Sequence, residues 1–247
     1  MPNKKIVFAF GFHEKASDVD FLRQLASEQH FDAIGLEYPA IGNKRLEDEQ
    51  SIDKVIVANS NFPEYGREKL AFLREYELIP KILEVYSREK LSNLLELINA
   101  QEMLFNNSLR ILSDQRNLDK AVKDALESVK LRAKVDVIRE NSIANVLPCI
   151  MQELEEHSRL RDKPEVVMLA HLGATHHTVY EKLHSQQQIK VEERFQYEPP
   201  VMFYYDRLVE GLKTGGIKKI APMEIARAIY GILLYIVGKE RSYNSKD

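Results

Sequence analysis

Val166-Val167-Met168-Leu169-Ala170 runs straight into His171-Leu172-Gly173-Ala174-Thr175-His176-His177, an apolar stretch that ends in a polar cluster. The same pattern occurs twice nearer the start. Ile6-Val7-Phe8-Ala9-Phe10 leads into Gly11-Phe12-His13-Glu14, and Ala33-Ile34-Gly35-Leu36 leads into Glu37-Tyr38-Pro39. Apolar runs this short, bounded by turn residues, read as strands buried on both faces, as in a parallel sheet. In open parallel sheets the ligand crevice lies outside the carboxyl ends of the strands. Three such strands would deliver imidazoles and a carboxylate to one edge.

The segments between them set the architecture. Ser17 and Asp20 form a capping-box-like helix start, with Val19, Leu22, Leu25 and Ala26 following at helical spacing. The second strand, from Phe31 to Glu37, follows directly, so the first unit reads as strand, crossover helix and a parallel neighbour. From about Ala40 to Lys163 strand-like runs nearly vanish. Leu83-Glu84-Val85, Leu91 to Ile98 and Ala121 to Val129 read as helical by period, with breaks expected at Asn106-Asn107 and Ser113-Asp114. A helix over about Thr178 to Leu183 and an edge strand over Ile189, Val191 and Glu193 to Phe195 come next. Helices near Met202 to Leu212 and Met223 to Val237 close the chain, separated by Gly215-Gly216. The expectation is an α/β fold: a small, mostly parallel central sheet with flanking helices. It forms a single domain, 1–247, with a sheet core from 1–40 and 164–247 and a large helical insertion at 41–163 between strands two and three.

The 247 residues suffice to bury a sizeable core, and 44% apolar with 30% charged residues is the balance of a soluble globular protein. A net charge of −3, without a basic block, implies no electrostatic attraction to nucleic acid or a membrane surface. Cys149 is the one cysteine, which excludes an intrachain disulfide and a multi-cysteine zinc site. Its neighbours Leu147, Pro148, Ile150 and Met151 predict a buried thiol. The stretch after Lys4-Lys5 is too short for a secretory leader, and Ala228 to Val237 is too short to span a bilayer, so a cytoplasmic location is expected.

His13, just past Gly11, reads as a metal ligand or general base, or else as a loop histidine capping the next helix. Glu37 ends an apolar strand, where a carboxylate is costly to desolvate without a metal, an arginine or a proton to compensate. The alternative is a solvated residue just past the sheet. His171, His176 and His177 form the third cluster, and imidazoles with a carboxylate match zinc, manganese or iron chemistry. Adjacent histidines at a helix start rarely face one metal together, so His176 and His177 should differ in role. Arg139 lies within the stripe Val135, Ile138, Ser142, Ile143, Val146 and Ile150. It could pair with Glu37, bind substrate, or snorkel its stem past the core. Pro148 should kink or end that helix.

Taken in order, Gly11-Phe12-His13, Ile34-Gly35-Leu36-Glu37, the run Ile138-Arg139-Glu140-Asn141-Ser142-Ile143-Ala144 and Gly173-Ala174-Thr175-His176 resemble the motifs of the erythromycin esterase, ChaN-like, Tiki and TraB superfamily. The resemblance implies a site at the strand ends. In Tiki-type members it implies a metal-dependent peptidase, with His13, Glu37 and His176 at the ligand positions. In the esterase branch it implies water activated for ester hydrolysis, and in the ChaN-like branch haem binding without catalysis. The first motif is one residue shorter than the Gly-x-x-His of Tiki and TraB proteins.

The expected function is therefore a metal- or histidine/glutamate-assisted hydrolase of ester or peptide bonds. Its catalytic residues would be His13, Glu37, Arg139 and His176. Substrate contacts would come from Gly11, Glu14, Asn141, His171 and Gly173. A divalent manganese, cobalt or zinc ion would sit on His13, Glu37 and His176. The alternative is a non-catalytic protein for haem or another anionic ligand, with Tyr38 or a histidine as the axial ligand. The partner would be a small-molecule or peptide substrate, with a homo-oligomer left open.

Overall fold

A computed structural model describes residues 3–11, 18–41, 63–113, 117–186, 188–196, 204–217 and 219–232. Among the described residues there are five strands: β1 (Asn3–Gly11), β2 (Ala33–Ile41), β3 (Ile79–Tyr86), β4 (Glu165–Gly173) and β5 (Lys190–Phe195). The helices are α1 (Asp18–Glu28), α2 (Pro63–Glu75), α3 (Arg88–Ser113), α4 (Leu118–Glu156), α5 (His177–Gln186), α6 (Tyr204–Lys213) and α7 (222–232). The chain forms two compact units, one from 1–91 with 139–200 and the other from 92–138 with 201–247.

The first unit holds the sheet, ordered β3-β2-β4-β1-β5 and parallel throughout. Alternation along β1 divides the core in two. Ile6, Phe8 and Phe10 pack with Ile143, Leu147, Met151 and Leu154 of α4 and Val179 and Leu183 of α5. Val7 and Ala9 pack with Val19, Leu22 and Leu25 of α1 and Phe72 and Leu73 of α2. Because both faces are covered, β1 from Ile6 to Phe10 and β4 from Val166 to Ala170 are wholly apolar, which is why they read as continuous runs. Neighbouring β1 and β4 send their next helices, α1 and α5, to opposite faces. In open parallel sheets ligand sites favour such a point of divergence, at the carboxyl ends of the strands.

Several expectations are corrected. Leu83-Glu84-Val85 lies in strand β3, not in a helix. Lys81 and Glu84 interrupt the apolar pattern there, yet Glu84 is wholly buried because charged partners meet it inside. Strands β1 and β2 are not neighbours, since β4 inserts between them. Asn106-Asn107 does not break α3, which ends at Ser113 as the second break predicted. The Asn107 side chain caps nothing and instead reaches Asp124. Pro148 does not end α4, which continues to Glu156. Cys149 is exposed, on the outward side of a helix whose inward positions are Leu147, Ile150 and Met151. Ser17 lies outside the described residues.

The second unit is helical. Ala125 and Val129 of α4 pack with Leu208 and Val209 of α6 and Ile225 and Ile229 of α7. Among the described residues, no helix is long and apolar enough to cross a membrane.

Candidate functional site

The site begins with an irregularity in β2. Against β3 the register steps from Leu36 opposite Ile82 to Pro39 opposite Glu84, so one strand carries an extra residue at Glu37-Tyr38. A bulge of this kind re-aims a side chain and ends regular pairing. Pairing of β2 with β4 stops at Leu36 opposite His171, so Pro39 costs that ladder no hydrogen bond. Glu37 thus turns across the end of β4, where the Gly173 N–H donates to its Oε2 at 2.8 Å.

Strand β4 then turns through a short 3-10 segment, Ala174–His176, into α5. Gly173 has ordinary extended angles, φ −60° and ψ 146°, so it contributes its N–H and not a left-handed turn. The tight turn buries His176 between two carboxylates. Its Nε2 lies 3.1 Å from Glu37 Oε1 and its Nδ1 3.3 Å from Glu140 Oε1. Burial alone would lower the pKa of His176, but the charge of Glu37 and hydrogen bonds to Glu140 and Glu37 outweigh it and hold the ring at about 9. The imidazole is therefore a cation at neutral pH.

Arg139 comes from α4. Its Nη2 donates to Glu37 Oε1 at 2.6 Å and to Glu84 Oε1 at 2.7 Å, while Nε donates to Glu84 Oε2 at 3.0 Å. The pairing of the guanidinium with Glu84 is two-pronged, which fixes its plane as well as its charge. Tyr86 also donates to Glu84 Oε2, at 3.0 Å, and burial beside that carboxylate drives the phenol well above its ordinary range. The Ser142 hydroxyl, one helical turn from Arg139, ties α4 to the Val85 carbonyl.

Helix α2 adds Tyr65 and Lys69 from one of its faces. Lys69 is 1% exposed, and its Nζ sits 5.3 Å from the centre of the Tyr65 ring. Burial pulls the amine down to about 8, against an upward pull from the Glu37 charge. The Tyr65 hydroxyl is 3.3 Å from Nδ1 of the fully buried His171.

Three expected site residues, Glu37, Arg139 and His176, come together. Gly173 joins them through its backbone, and His171 reaches the neighbouring Tyr65. Asn141 does not join: it is exposed on α4 and accepts from Lys182. His177 pairs with Glu193 at 2.6 Å and packs against Phe10, Tyr180 and Phe195, a role distinct from that of His176. Gly11 closes β1 opposite Gly173. His13 and Glu14 lie outside the described residues, as does the side chain of Tyr38.

Sequence reasoning missed Glu84, Glu140, Lys69, Tyr65 and Tyr86. Two of them left a readable signal. Lys69 interrupts the stripe Tyr65, Phe72, Leu73, and Glu140 stands in the stripe Asp136, Ile143, Ala144, Leu147, where an ion needs a partner.

Of the expected metal ligands, Glu37 and His176 meet, while His13 lies outside the described residues. Among the described residues no group of three or more His, Cys, Asp and Glu could hold an ion. Both nitrogens of His176 face carboxylates, and Glu37 Oε1 already carries the Arg139 guanidinium. What the arrangement offers instead is a proton on His176, a fixed positive charge on Arg139 and an oriented carboxylate on Glu37.

No family model, no curated protein and no solved structure matches the chain.

Proposed function

We propose that this chain is a hydrolase of ester or peptide bonds in a small-molecule or peptide substrate. It would be of the histidine/glutamate-assisted kind and akin to the erythromycin esterase, ChaN-like, Tiki and TraB superfamily. The observation that carries the reading is the meeting of Glu37, Arg139 and His176 from β2, α4 and the turn after β4, with contacts of 2.6 Å and 3.1 Å. These residues stand far apart in sequence and were singled out by their motifs. Arg139, the least buried of the three at 17% side-chain exposure, stabilises the charge developing on the substrate carbonyl oxygen. His176, protonated at neutral pH, gives its proton to the leaving group. Glu37 keeps the two cations in register. The reading takes the protein as cytoplasmic.

A panel of p-nitrophenyl acetate, p-nitrophenyl butyrate and fluorogenic peptides, assayed with and without EDTA, tests it. Turnover that EDTA leaves intact and that falls at least ~100-fold in Glu37→Gln supports the proposal. A panel left untouched by the wild-type protein ends it. A Soret band on mixing with haem, in protein that hydrolyses nothing, would favour the ligand-binding branch.

A further inference from the structure

A second group of charges stands at the amino ends of the strands, away from Glu37, Arg139 and His176. Residues leading into β2, β3 and β4 line a cavity of about 420 Å³ there, all of them within the first unit. Behind it lies Asp32, whose side chain is 2% exposed. The Val167 N–H donates to Asp32 Oδ2 at 2.9 Å. Asp32 Oδ1 serves two bases at once: Lys163 Nζ donates to it, and His30 Nε2 lies 3.1 Å away. Burial opposes the charge on Asp32, but the hydrogen bonds from Lys163 and Val167 outweigh it and hold the carboxyl below its ordinary pKa.

Tying the strand starts together needs that carboxylate and one cation, and the cavity holds more. An ammonium can only donate, so His30 Nε2, 3.1 Å from Lys163 Nζ, accepts from it. The neutral ring then carries its proton on Nδ1, which points away from Asp32 on a side chain 70% exposed. Arg159 comes from the same turn as Lys163 and is 56% exposed. Its guanidinium meets the Glu77 carboxylate and carbonyl at 3.5 Å, too far to be held firmly. The acids on the rim are Glu77, in open solvent where salt screens it, and Glu75, which accepts from Arg23. Half-buried Tyr76 and Ile79 complete the wall.

We propose that this cavity binds a phosphate group, free or borne by a small molecule, through Lys163, Arg159 and the Nδ1–H of His30. A phosphate monoester carries a charge of about −2 near neutral pH and offers several strong acceptor oxygens. Guanidinium and ammonium groups are well suited to such oxygens. Asp32 makes no contact with the ligand. It fixes Lys163 and the His30 tautomer from behind, so the donors are set before the anion arrives. The space against Tyr76 and Ile79 accommodates a short organic part. The site is independent of the hydrolase reading, whose residues stand at the opposite ends of the strands.

The experiment titrates nitrogen-15-labelled protein by NMR with inorganic phosphate and with phenyl phosphate, each to ~20 mM, against sodium chloride at matched ionic strength. Saturable shifts of the His30 ring and of the amides from Arg159 to Lys163, with phosphate and not with chloride, support the proposal. Tighter binding of phenyl phosphate would assign the site to an organic phosphate, and equal binding to the free ion. Arg159→Gln and His30→Gln change exposed side chains and leave the Asp32–Lys163 pair in place. Each should weaken binding ~10-fold. Lys163→Gln with Asp32→Asn removes both charges of the buried pair and should abolish binding, with melting temperature as the check on folding. No saturable shift at these residues, shifts centred on Glu37 and His176 instead, or binding that Arg159→Gln and His30→Gln both leave unchanged, would overturn the proposal.

Discussion

Arg139 grips Glu84 with two hydrogen bonds, Nε to Oε2 at 3.0 Å and Nη2 to Oε1 at 2.7 Å, and Glu84 is wholly buried. A buried carboxylate that loses its partner keeps its desolvation cost without the compensating attraction. Arg139→Met should therefore destabilise the fold by about 3–5 kcal/mol, read as a lower urea midpoint at unchanged slope. Adding Glu84→Gln to that variant should restore part of the loss. A midpoint within error of wild type in Arg139→Met would mean that the pair contributes nothing to folding.

Stability should depend on pH through two opposed groups. His176 rises from 6.5 to about 9 on folding, so its contribution is complete below 6.5 and is lost as pH climbs to 9. The loss is on the order of 3 kcal/mol. Lys69 falls from 10.5 to about 8, so stability is regained as pH rises from 8 to 10.5. Urea midpoints should pass through a minimum between pH 8 and 9, and His176→Gln should flatten the falling limb. A falling limb that survives in His176→Gln would assign it to another group.

Glu77 follows α2 with φ at +50°, the left-handed conformation that terminates many helices. The Leu78 N–H reaches back to the Leu73 carbonyl at 3.1 Å, and the Glu77 N–H to Arg74 at 3.3 Å. Glycine adopts this conformation without steric penalty. The Glu77 carboxylate makes only a 3.5 Å contact with the exposed Arg159, and such surface pairs contribute little. Glu77→Gly should raise stability by about 1 kcal/mol in thermal unfolding. A drop in melting temperature would show the surface pair to outweigh the backbone strain.

Two glycines in the motifs should respond differently to alanine. A Cβ on Gly35 would lie 2.7 Å from a Leu83 methyl, with two more Leu83 carbons at 2.9 Å. Gly35→Ala should cost about 1–3 kcal/mol, and Leu83→Ala in the same chain should relieve part of it. At Gly173 the nearest atoms would be 3.7 to 3.9 Å away, an ordinary contact. Gly173→Ala should stay within about 0.5 kcal/mol of wild type and keep the N–H that Glu37 accepts. Equal effects at the two positions would contradict this account.

The apolar strands were legible because burial on both faces disfavours polar residues, as in Ile6 to Phe10 and Val166 to Ala170. Strand β3 was hidden by the same logic. Glu84 and Lys81 look like the exposed side of a helix until Arg139, Tyr86 and Glu153 are known to meet them. The site shows a similar division. Glu37 and His176 stand at the ends of readable strands. Glu140 and Lys69 stand on helices whose orientation depends on tertiary packing. The order of strands was the least legible part, since nothing local tells β2 that β4 will lie between it and β1.

The place of β1 has a consequence for how the chain matures. It leaves the ribosome well before its neighbours on both sides, β4 and β5, which are encoded beyond residue 164. During synthesis, Ile6 to Phe10 must wait, without their sheet partners, until β4 and β5 have emerged. Such distant pairing makes for slow, late assembly and a nascent chain exposed to aggregation. Stalled chains ending before Glu165 should remain protease-sensitive, and protection should appear only once both late strands have cleared the exit tunnel.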